Sequence, residues 1–364
     1  MTAKLTSRFE YLDVLRGIAV LAVCFMHITG YIYGTYGNNH SLSPMIDFFV
    51  INSVDWGRFG VVLFFLISGF IIPNSLKPGS SLGRFFVSRV FRLYPVYWVV
   101  LGVIFLTAPY LQQSQADYSG FEVLANFTMM PNLFGIGGMS GVFWSLFIEI
   151  LFYFACAVLF KLNWLDKPIV IAIIAIGLNL TTPIPIILNE YLGLNIPVKY
   201  VLFHLSFLFA GNLFRLALVN QDKLAFKLSL LFTSLLLITI PISTGSIFSV
   251  SDATQKGFVM STPPPIIYAY VLALGLFIST VHFKNLNNKF MIKIGQISYS
   301  LYLYHMTCFV LVMKVISPST SMGFVFYFLF SAILAYLVAN YAYRYIEYPA
   351  VNLGRKVIER LKYA

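Results

Sequence analysis

The sequence predicts an all-α polytopic membrane protein with about ten transmembrane helices and both termini in the cytoplasm (N-in/C-in). Of its 364 residues, 59% are hydrophobic and 10% are charged, whereas soluble domains carry about 25% charged residues. The apolar residues form ten runs of roughly the 17–25 residues that a helix needs to cross a bilayer. These runs cover 12–34, 57–74, 86–108, 142–160, 168–188, 198–217, 226–248, 265–282, 294–315 and 322–344.

The positions of lysine and arginine predict how these helices are oriented. With the N-terminus in the cytoplasm, 20 of the 24 Lys and Arg residues fall on the cytoplasmic side, as the positive-inside rule requires. Membrane orientation therefore explains most of the net charge of +11, and no nucleic-acid partner is expected. The runs leave no soluble catalytic domain, so we expect one transmembrane domain at 1–350 and a basic cytoplasmic tail at 351–364.

The first run is predicted to be a retained helix, because it is long and no small-residue cleavage site follows it. It carries Arg16 and His27, which are eleven positions apart. The two side chains therefore share one helix face, ~16 Å apart along the axis. Arg16 has the alternative role of an interfacial anchor. His27 lies too deep for such a role, and an ionisable group at that depth indicates function.

The second and third runs each offer a candidate binding feature. Ser68 and Gly69, near the middle of the second run, either permit close helix packing or leave room for a slender substrate. Arg89 and Arg92 are neighbours on one face at the inner end of the third run. They are either ordinary cytoplasmic charge or a clamp for a polyphosphate, which guanidinium groups bind through two hydrogen bonds.

The fourth and ninth runs carry the remaining candidates. Glu149 is the only carboxylate deep within a run, and it either has a structural partner or acts as a general acid–base or as the group that orients a histidine. Runs five to eight are predicted to be scaffold, with His204 as a satisfied core residue. His305 lies near mid-depth in the ninth run, and Tyr302 shares its face. This pair is either a structural hydrogen-bond network or part of the site.

Two outer loops and three cysteines are the remaining features that could have a function. The loop at 35–56 contains Asn38, Asn39, His40, Asp47 and Asp55, a mixture suited to hydroxyl-rich ligands. The loop at 109–141 is long enough to be functional or a flexible linker. The cysteines (Cys24, Cys156 and Cys308) are far apart and lack metal-type spacing, so neither a disulfide framework nor a metal site is expected.

Helix rise places these residues at three depths. The predicted groups are His27 with Glu149 in the outer half, His305, Tyr302 and Ser68 near the middle, and Arg16, Arg89 and Arg92 at the cytoplasmic end. The result is a polar column from a basic inner mouth to an outer His/Glu pair. Such a column suits a long anionic donor that enters from the cytoplasm.

The motifs that carry these residues resemble those of the integral-membrane acyltransferase family three. They are LDVLRGIAVLAVCFMH with Arg16 and His27, GVVLFFLISGF, SRVFRLYP, WSLFIE, ISYSLYLYH and YRYIEYP. The resemblance implies acetyl-CoA as donor and co-substrate, and a sugar hydroxyl as common acceptor. It also implies that Arg16 and His27 are essential. With Glu149 they form the expected catalytic set, and the residues expected to bind the acyl-CoA donor are Arg89, Arg92, Ser68, Tyr302 and His305.

The sequence therefore predicts a multi-pass enzyme of the cytoplasmic (inner) membrane, surrounded by lipid. Its reaction is the transfer of an acetyl group from acetyl-CoA to a hydroxyl of a cell-surface polysaccharide or its lipid-linked precursor. His27 would take the hydroxyl proton, Glu149 would steady the imidazolium, and an acyl-His27 intermediate is an open alternative. The other interpretations are acylation of a small lipophilic acceptor and secondary transport, which also uses polar columns.

Overall fold

The computed structural model describes residues 9–36, 45, 48–49, 52–111, 119–192, 200–247, 254–255, 258–259, 263–284 and 286–360. Four residues that were expected to suit hydroxyl-rich ligands (Asn38, Asn39, His40 and Asp47) lie outside these ranges, as does part of the loop at 109–141.

The described part of the chain is almost entirely helical. Its α-helices are α1 (Glu10–Tyr36), α2 (Trp56–Ile71), α3 (Leu82–Leu111), α4 (Gly120–Phe127), α5 (Trp144–Lys161), α6 (Pro168–Leu180), α7 (Pro183–Leu192), α8 (Val201–Leu218), α9 (Lys223–Ile247), α10 (Pro263–Phe283), α11 (Lys289–Gln296), α12 (Ser298–Met313), α13 (Ser321–Ala342) and α14 (Tyr348–Arg360). Short 3₁₀ turns cover Ile72–Ser75 and Pro131–Phe134, and a π-helical turn covers Tyr343–Glu347. Two short antiparallel strands, β1 (Thr254–Gln255) and β2 (Phe258–Val259), pair with each other.

The helices confirm the prediction of an all-α, multi-pass membrane protein. Eight helical segments of the described chain are long and apolar enough to cross a membrane, and two shorter apolar helices, α6 and α12, occupy the fifth and ninth runs. The fifth run breaks after Leu180 and resumes at Pro183, because proline disfavours helical backbone at the residue before it. The ninth run divides into α11 and α12 at Ile297.

Side chains in the preceding turn cap several of these helices. Asp55 accepts a hydrogen bond from the Arg58 amide at the start of α2 (2.8 Å). Asn288 accepts one from the Met291 amide at the start of α11 (3.0 Å). Each bond satisfies an amide that has no partner within its own helix. Polar residues that precede the apolar runs thus define where these two helices begin.

Helices α1, α2 and α8 form the centre of the bundle, and α2 packs against both of the others. Glycines make the closest crossings possible. A Cβ atom at Gly69 would overlap the carbonyl group of Leu208 on α8, and one at Gly295 of α11 would overlap that of Asp13 on α1. Ser68 and Gly69 therefore have different roles. Gly69 provides the helix contact, whereas Ser68 lines a cavity.

Gly69→Ala is expected to destabilise the protein by about 1–3 kcal/mol, because overpacking at a tight helix contact forces the backbone apart. Gly275→Ala on α10 is the matched control, since no atom lies within 4 Å of the added methyl group. The control should be neutral or stabilising by up to about 1 kcal/mol through helix propensity. Thermal unfolding in detergent compares them, and equal melting temperatures would contradict the packing role of Gly69.

The chain ends in a helix that returns to the bundle. Helix α14 packs against α3, with Gly354 close to the Phe91 ring. Much of the segment predicted as a basic tail, 351–364, thus lies in this helix, and residues 361–364 fall outside the described ranges. The domain boundary at residue 350 stays a prediction.

Candidate active site

Two histidines from α1 and α12 form the centre of the site. His27 Nδ1 lies 2.7 Å from His305 Nε2, and the two ring planes are nearly parallel, at 9°. His305 Nδ1 lies 2.6 Å from the carbonyl oxygen of Tyr302 in the preceding helical turn. The three groups form a chain from a backbone carbonyl through His305 to His27.

The order of this chain determines where the protons lie. A carbonyl oxygen can only accept, so a neutral His305 carries its proton on Nδ1 and presents a lone pair at Nε2. His27 must then donate from Nδ1, which leaves the lone pair of a neutral His27 on Nε2. His305 is fully buried, whereas His27 keeps part of its side chain accessible. The arrangement holds His27 in the tautomer that a general base requires.

A wide cavity lies at the N-terminal ends of α1 and α12, about three helical turns along α1 from His27. Its volume is about 1090 Å³, and α1, α3, α12, the π-helical turn and α14 all contribute to its walls. Its charged lining residues are five cations against two carboxylates, namely Arg16, Lys77, Arg89, Arg92 and Arg355 against Asp13 and Glu347. We call it the inner cavity. Its volume slightly exceeds the roughly 300–1,000 Å³ of common ligand sites.

The predicted arginine pair lies in the wall of the inner cavity. Arg89 donates a hydrogen bond from Nη2 to the Ser75 hydroxyl (2.7 Å), and its guanidinium lies near the rings of Phe85 and Tyr153. Its Nε atom is buried and has no hydrogen-bond partner among the described residues. Arg92 lies within electrostatic range of Glu149 and Glu347. A buried donor without a partner beside a cavity indicates a place for an anionic ligand.

A second, much smaller cavity adjoins the first. Its volume is about 70 Å³, and Arg16, Arg92, Ser298 and Tyr299 line both cavities. Its other walls include Ser68, Ser145, Glu149, Tyr302 and several apolar side chains. We call it the small cavity.

Hydrogen bonds fix the polar walls of the small cavity. The Tyr302 hydroxyl lies 2.7 Å from Ser145 Oγ and donates to the carbonyl oxygen of Val142 (2.8 Å). Tyr153 donates to Glu149 Oε1 (2.5 Å). Tyr302 also lies next to the histidine pair, because His305 packs beside its ring, with the ring centroids 5.9 Å apart. Tyr302 therefore stands between the small cavity and His305.

The depths of some residues differ from those that helix rise indicated. Glu149 was expected beside His27, but it lies in the small cavity with Arg16 and Arg92, and its hydrogen bond comes from Tyr153. His305, expected among the donor-binding residues, is within hydrogen-bond distance of His27. The expected depths were counted from the end of each predicted run. That starting point is misplaced in the third run, because α3 begins at Leu82, four residues before it. Arg92 therefore lies about 15 Å along that helix.

Three further polar residues contribute to the site. Asp13 is buried and forms an ion pair with Arg16 (3.3 Å). Glu347 accepts a hydrogen bond from Ser300 (2.6 Å), and the π-helical turn that contains it is a type often found at functional sites. Ser145 was seen only as part of WSLFIE. The sequence signal for Asp13 was its position three residues before Arg16 on the same helix.

His204 occupies a core position, as predicted. One ring nitrogen lies 3.0 Å from the Tyr200 carbonyl oxygen and the other 2.8 Å from the Tyr270 hydroxyl. Both nitrogens are therefore engaged in structural hydrogen bonds. Within the described ranges, no three His, Cys, Asp or Glu side chains are grouped as metal ligands would be.

Comparison with known proteins gives one family and several distant relatives. The sequence model of a family described as "Acyltransferase domain" matches residues 9–340. The chain is 24% identical to nodulation protein 10 of Rhizobium leguminosarum bv. viciae, over 96% of this chain and 95% of that protein. It is 22% identical to a putative acetyltransferase of Acidianus two-tailed virus, over 80% and 81% of the two chains.

A third relative is named for a glycan. The chain is 25% identical to the peptidoglycan O-acetyltransferase OatA of Listeria monocytogenes, over 48% of this chain and 28% of that protein. No solved structure matches the chain.

Proposed function

The chain belongs to the membrane acyltransferase family that its motifs indicated, and we propose that it is an O-acetyltransferase using acetyl-CoA as donor. The proposed acceptor is a hydroxyl of a cell-surface glycan or its lipid-linked precursor, and the proposed location is the cytoplasmic membrane. The observation that carries the proposal is the His27–His305 pair, which presents a basic nitrogen on the same helix as Arg16 of the cationic inner cavity, about 16 Å further along α1.

The inner cavity supports a coenzyme A donor. Five cations against two carboxylates give its charged lining a net charge of +3, which complements the phosphates of coenzyme A. Arg89 and Arg92 are the proposed phosphate ligands, because guanidinium groups form paired, charge-assisted hydrogen bonds with phosphate. The small cavity continues from this site past Arg16 towards Tyr302, and we propose that it receives the acyl end.

The proposed reaction is a direct acyl transfer. His27 Nε2 removes the proton of the acceptor hydroxyl while its oxygen attacks the thioester carbonyl carbon. The C–S bond then breaks, and the imidazolium returns the proton to the leaving thiolate. The products are an acetyl ester and free coenzyme A. His305 accepts from His27 Nδ1–H throughout and holds the imidazole in place.

The carboxylates have a supporting role in this proposal. Glu149, bonded to Tyr153, and Glu347, bonded to Ser300, lie within electrostatic range of Arg92. Buried arginines require such counter-charges, because a cation in a region of low dielectric is costly when unpaired. In this proposal Glu149 supplies counter-charge to the arginines that hold the donor.

The names of the relatives support a glycan acceptor. One is named as a peptidoglycan O-acetyltransferase, and a glycan hydroxyl is the group that His27 would deprotonate. Mass spectrometry of surface glycans from cells with the gene, without it and with the His27→Ala variant tests the proposal. We expect acetyl esters to disappear in the last two strains. Unchanged glycan acetylation, with acetyl instead found on a small lipophilic molecule, would overturn the acceptor.

His305→Ala is expected to lower kcat by roughly 10²-fold, less than loss of the base itself, because His27 would lose the acceptor that fixes its tautomer. His305→Gln should recover part of the rate, since its amide oxygen can accept the same hydrogen bond. The double variant with His27→Ala should be no slower than His27→Ala alone, because groups acting as a unit are non-additive. A further loss in the double variant would show that His305 acts independently.

A further inference from the structure

The small cavity has a volume that discriminates between acyl groups. It measures about 70 Å³, less than half of the roughly 150 Å³ apolar cavity that accepts benzene. Benzene has six heavy atoms, so the small cavity has room for about three, which is the size of an acetyl group. A longer acyl chain would exceed this volume.

Aromatic side chains limit the small cavity on the side away from the inner cavity. The Tyr302 ring is held by its hydroxyl to Val142 and Ser145, and the Phe64 ring packs edge-on against it, with centroids 6.0 Å apart. Beyond Tyr302 lies His305. An acyl group that moves from the inner cavity towards the histidine pair therefore meets Phe64 and Tyr302 first.

We propose that this cavity selects the donor by acyl length and that Phe64 sets the limit. The inference rests on the proposed function, because it assumes that the acyl group of a coenzyme A thioester enters the small cavity. The selected class is acetyl, and acyl chains of four or more carbons are excluded by contact with the two rings.

Of the two phenylalanines that line the small cavity, Phe64 is the less buried. Tyr302 anchors two hydrogen bonds, and Glu149 and the arginines carry charge. Phe65 also lines the cavity but is buried against Trp144 and His204. Phe64 is only half-buried. Shortening it enlarges the cavity and leaves the charged groups in place.

The test compares kcat/KM for acetyl-, butyryl- and hexanoyl-CoA in wild type, Phe64→Leu and Phe64→Ala. One surplus methylene in a fitted pocket costs roughly 10- to 200-fold. We therefore expect the butyryl/acetyl ratio to rise at least about tenfold in Phe64→Ala and less in Phe64→Leu. The ratio is internal to each preparation, so partial misfolding does not change it.

Phe70→Leu is the matched control. Phe70 is on the same helix and packs against Phe9 and Phe277, and it lines neither cavity. Its ratio should equal that of wild type. Val61→Phe, which narrows the small cavity, should abolish acetyl transfer while binding of free coenzyme A persists.

Two failures can be told apart. If wild type uses acetyl-CoA but the ratio is the same in all Phe64 variants, the length limit is overturned and the proposed function stands. If no acyl-CoA of any length is a donor for wild type, the proposed function fails, and the length limit fails with it.

Discussion

His27→Ala is expected to lower acyl transfer by about 10²- to 10⁴-fold, the contribution of a positioned general base. The change removes the nitrogen that would take the acceptor proton. It leaves the inner cavity intact, because His27 does not line that cavity. Binding of coenzyme A should therefore be unchanged. Membrane insertion should also persist, since removing an imidazole from an apolar helix lowers the cost of insertion.

Turnover of acetyl-CoA by protein reconstituted in liposomes measures this effect, with calorimetry of coenzyme A binding alongside. His204→Ala is the control, because it removes another buried histidine that has only structural hydrogen bonds. That variant should yield less folded protein but retain most activity per folded molecule. Near-wild-type turnover of His27→Ala would end its assignment as the base. A labelled acyl-enzyme trapped without acceptor would establish the two-step route instead.

Arg92→Ala is expected to weaken coenzyme A binding by about 1.5–3 kcal/mol, the value of a hydrogen bond to a charged group, or roughly 10- to 150-fold in Kd. Arg92 lines both cavities, so its loss affects the phosphates and the path of the acyl arm. Arg92→Lys should recover only part of the affinity, because an ammonium group cannot reproduce the planar fork. Added salt should weaken wild-type binding more than binding by an Arg89/Arg92 double alanine variant.

The alternative role for these arginines is to set topology, and a matched control separates the two. Arg84 is on the same helix and carries the same charge, but it is not among the described residues that line the inner cavity. Arg84→Ala should therefore leave the affinity for coenzyme A unchanged. If instead Arg92→Ala binds coenzyme A normally while cysteine labelling of the loops shows altered sidedness, the phosphate role is wrong.

The fold was largely predictable because membrane crossing requires long apolar runs, and the ten runs correspond closely to helices. What the runs could not give was the angle and height of each helix. Glu149 and His27 were therefore placed together, although Glu149 meets Arg16 and Arg92 in the small cavity. The breaks at Thr181–Thr182 and Ile297 fall inside predicted runs, because the average hydropathy of a run does not register a few polar residues or a proline within it.

The candidate residues were recognised one at a time from the cost of burying polar groups. The pairing of His27 with His305 could not be recognised from the sequence. The two residues are 278 positions apart, and their contact depends on how α1 packs against α12. Glu347 was part of a motif but had no assigned role, since its inward position depends on the π-helical turn. Sequence periodicity at 3.6 residues per turn does not anticipate such a turn.

The short length of α12 bears on how the membrane voltage acts on an anion bound in the inner cavity. Its 16 residues span about 24 Å, less than the ~30 Å hydrocarbon core, and its first residue, Ser298, lines the inner cavity. With the predicted orientation, that cavity extends into the bilayer from the cytoplasmic face. An anion bound there traverses part of the transmembrane voltage, which is worth about 2.3 kcal/mol per charge per 100 mV for a full crossing. An interior-negative voltage would favour entry of such an anion from the cytoplasm, so we expect the affinity for the proposed donor to rise with the membrane voltage.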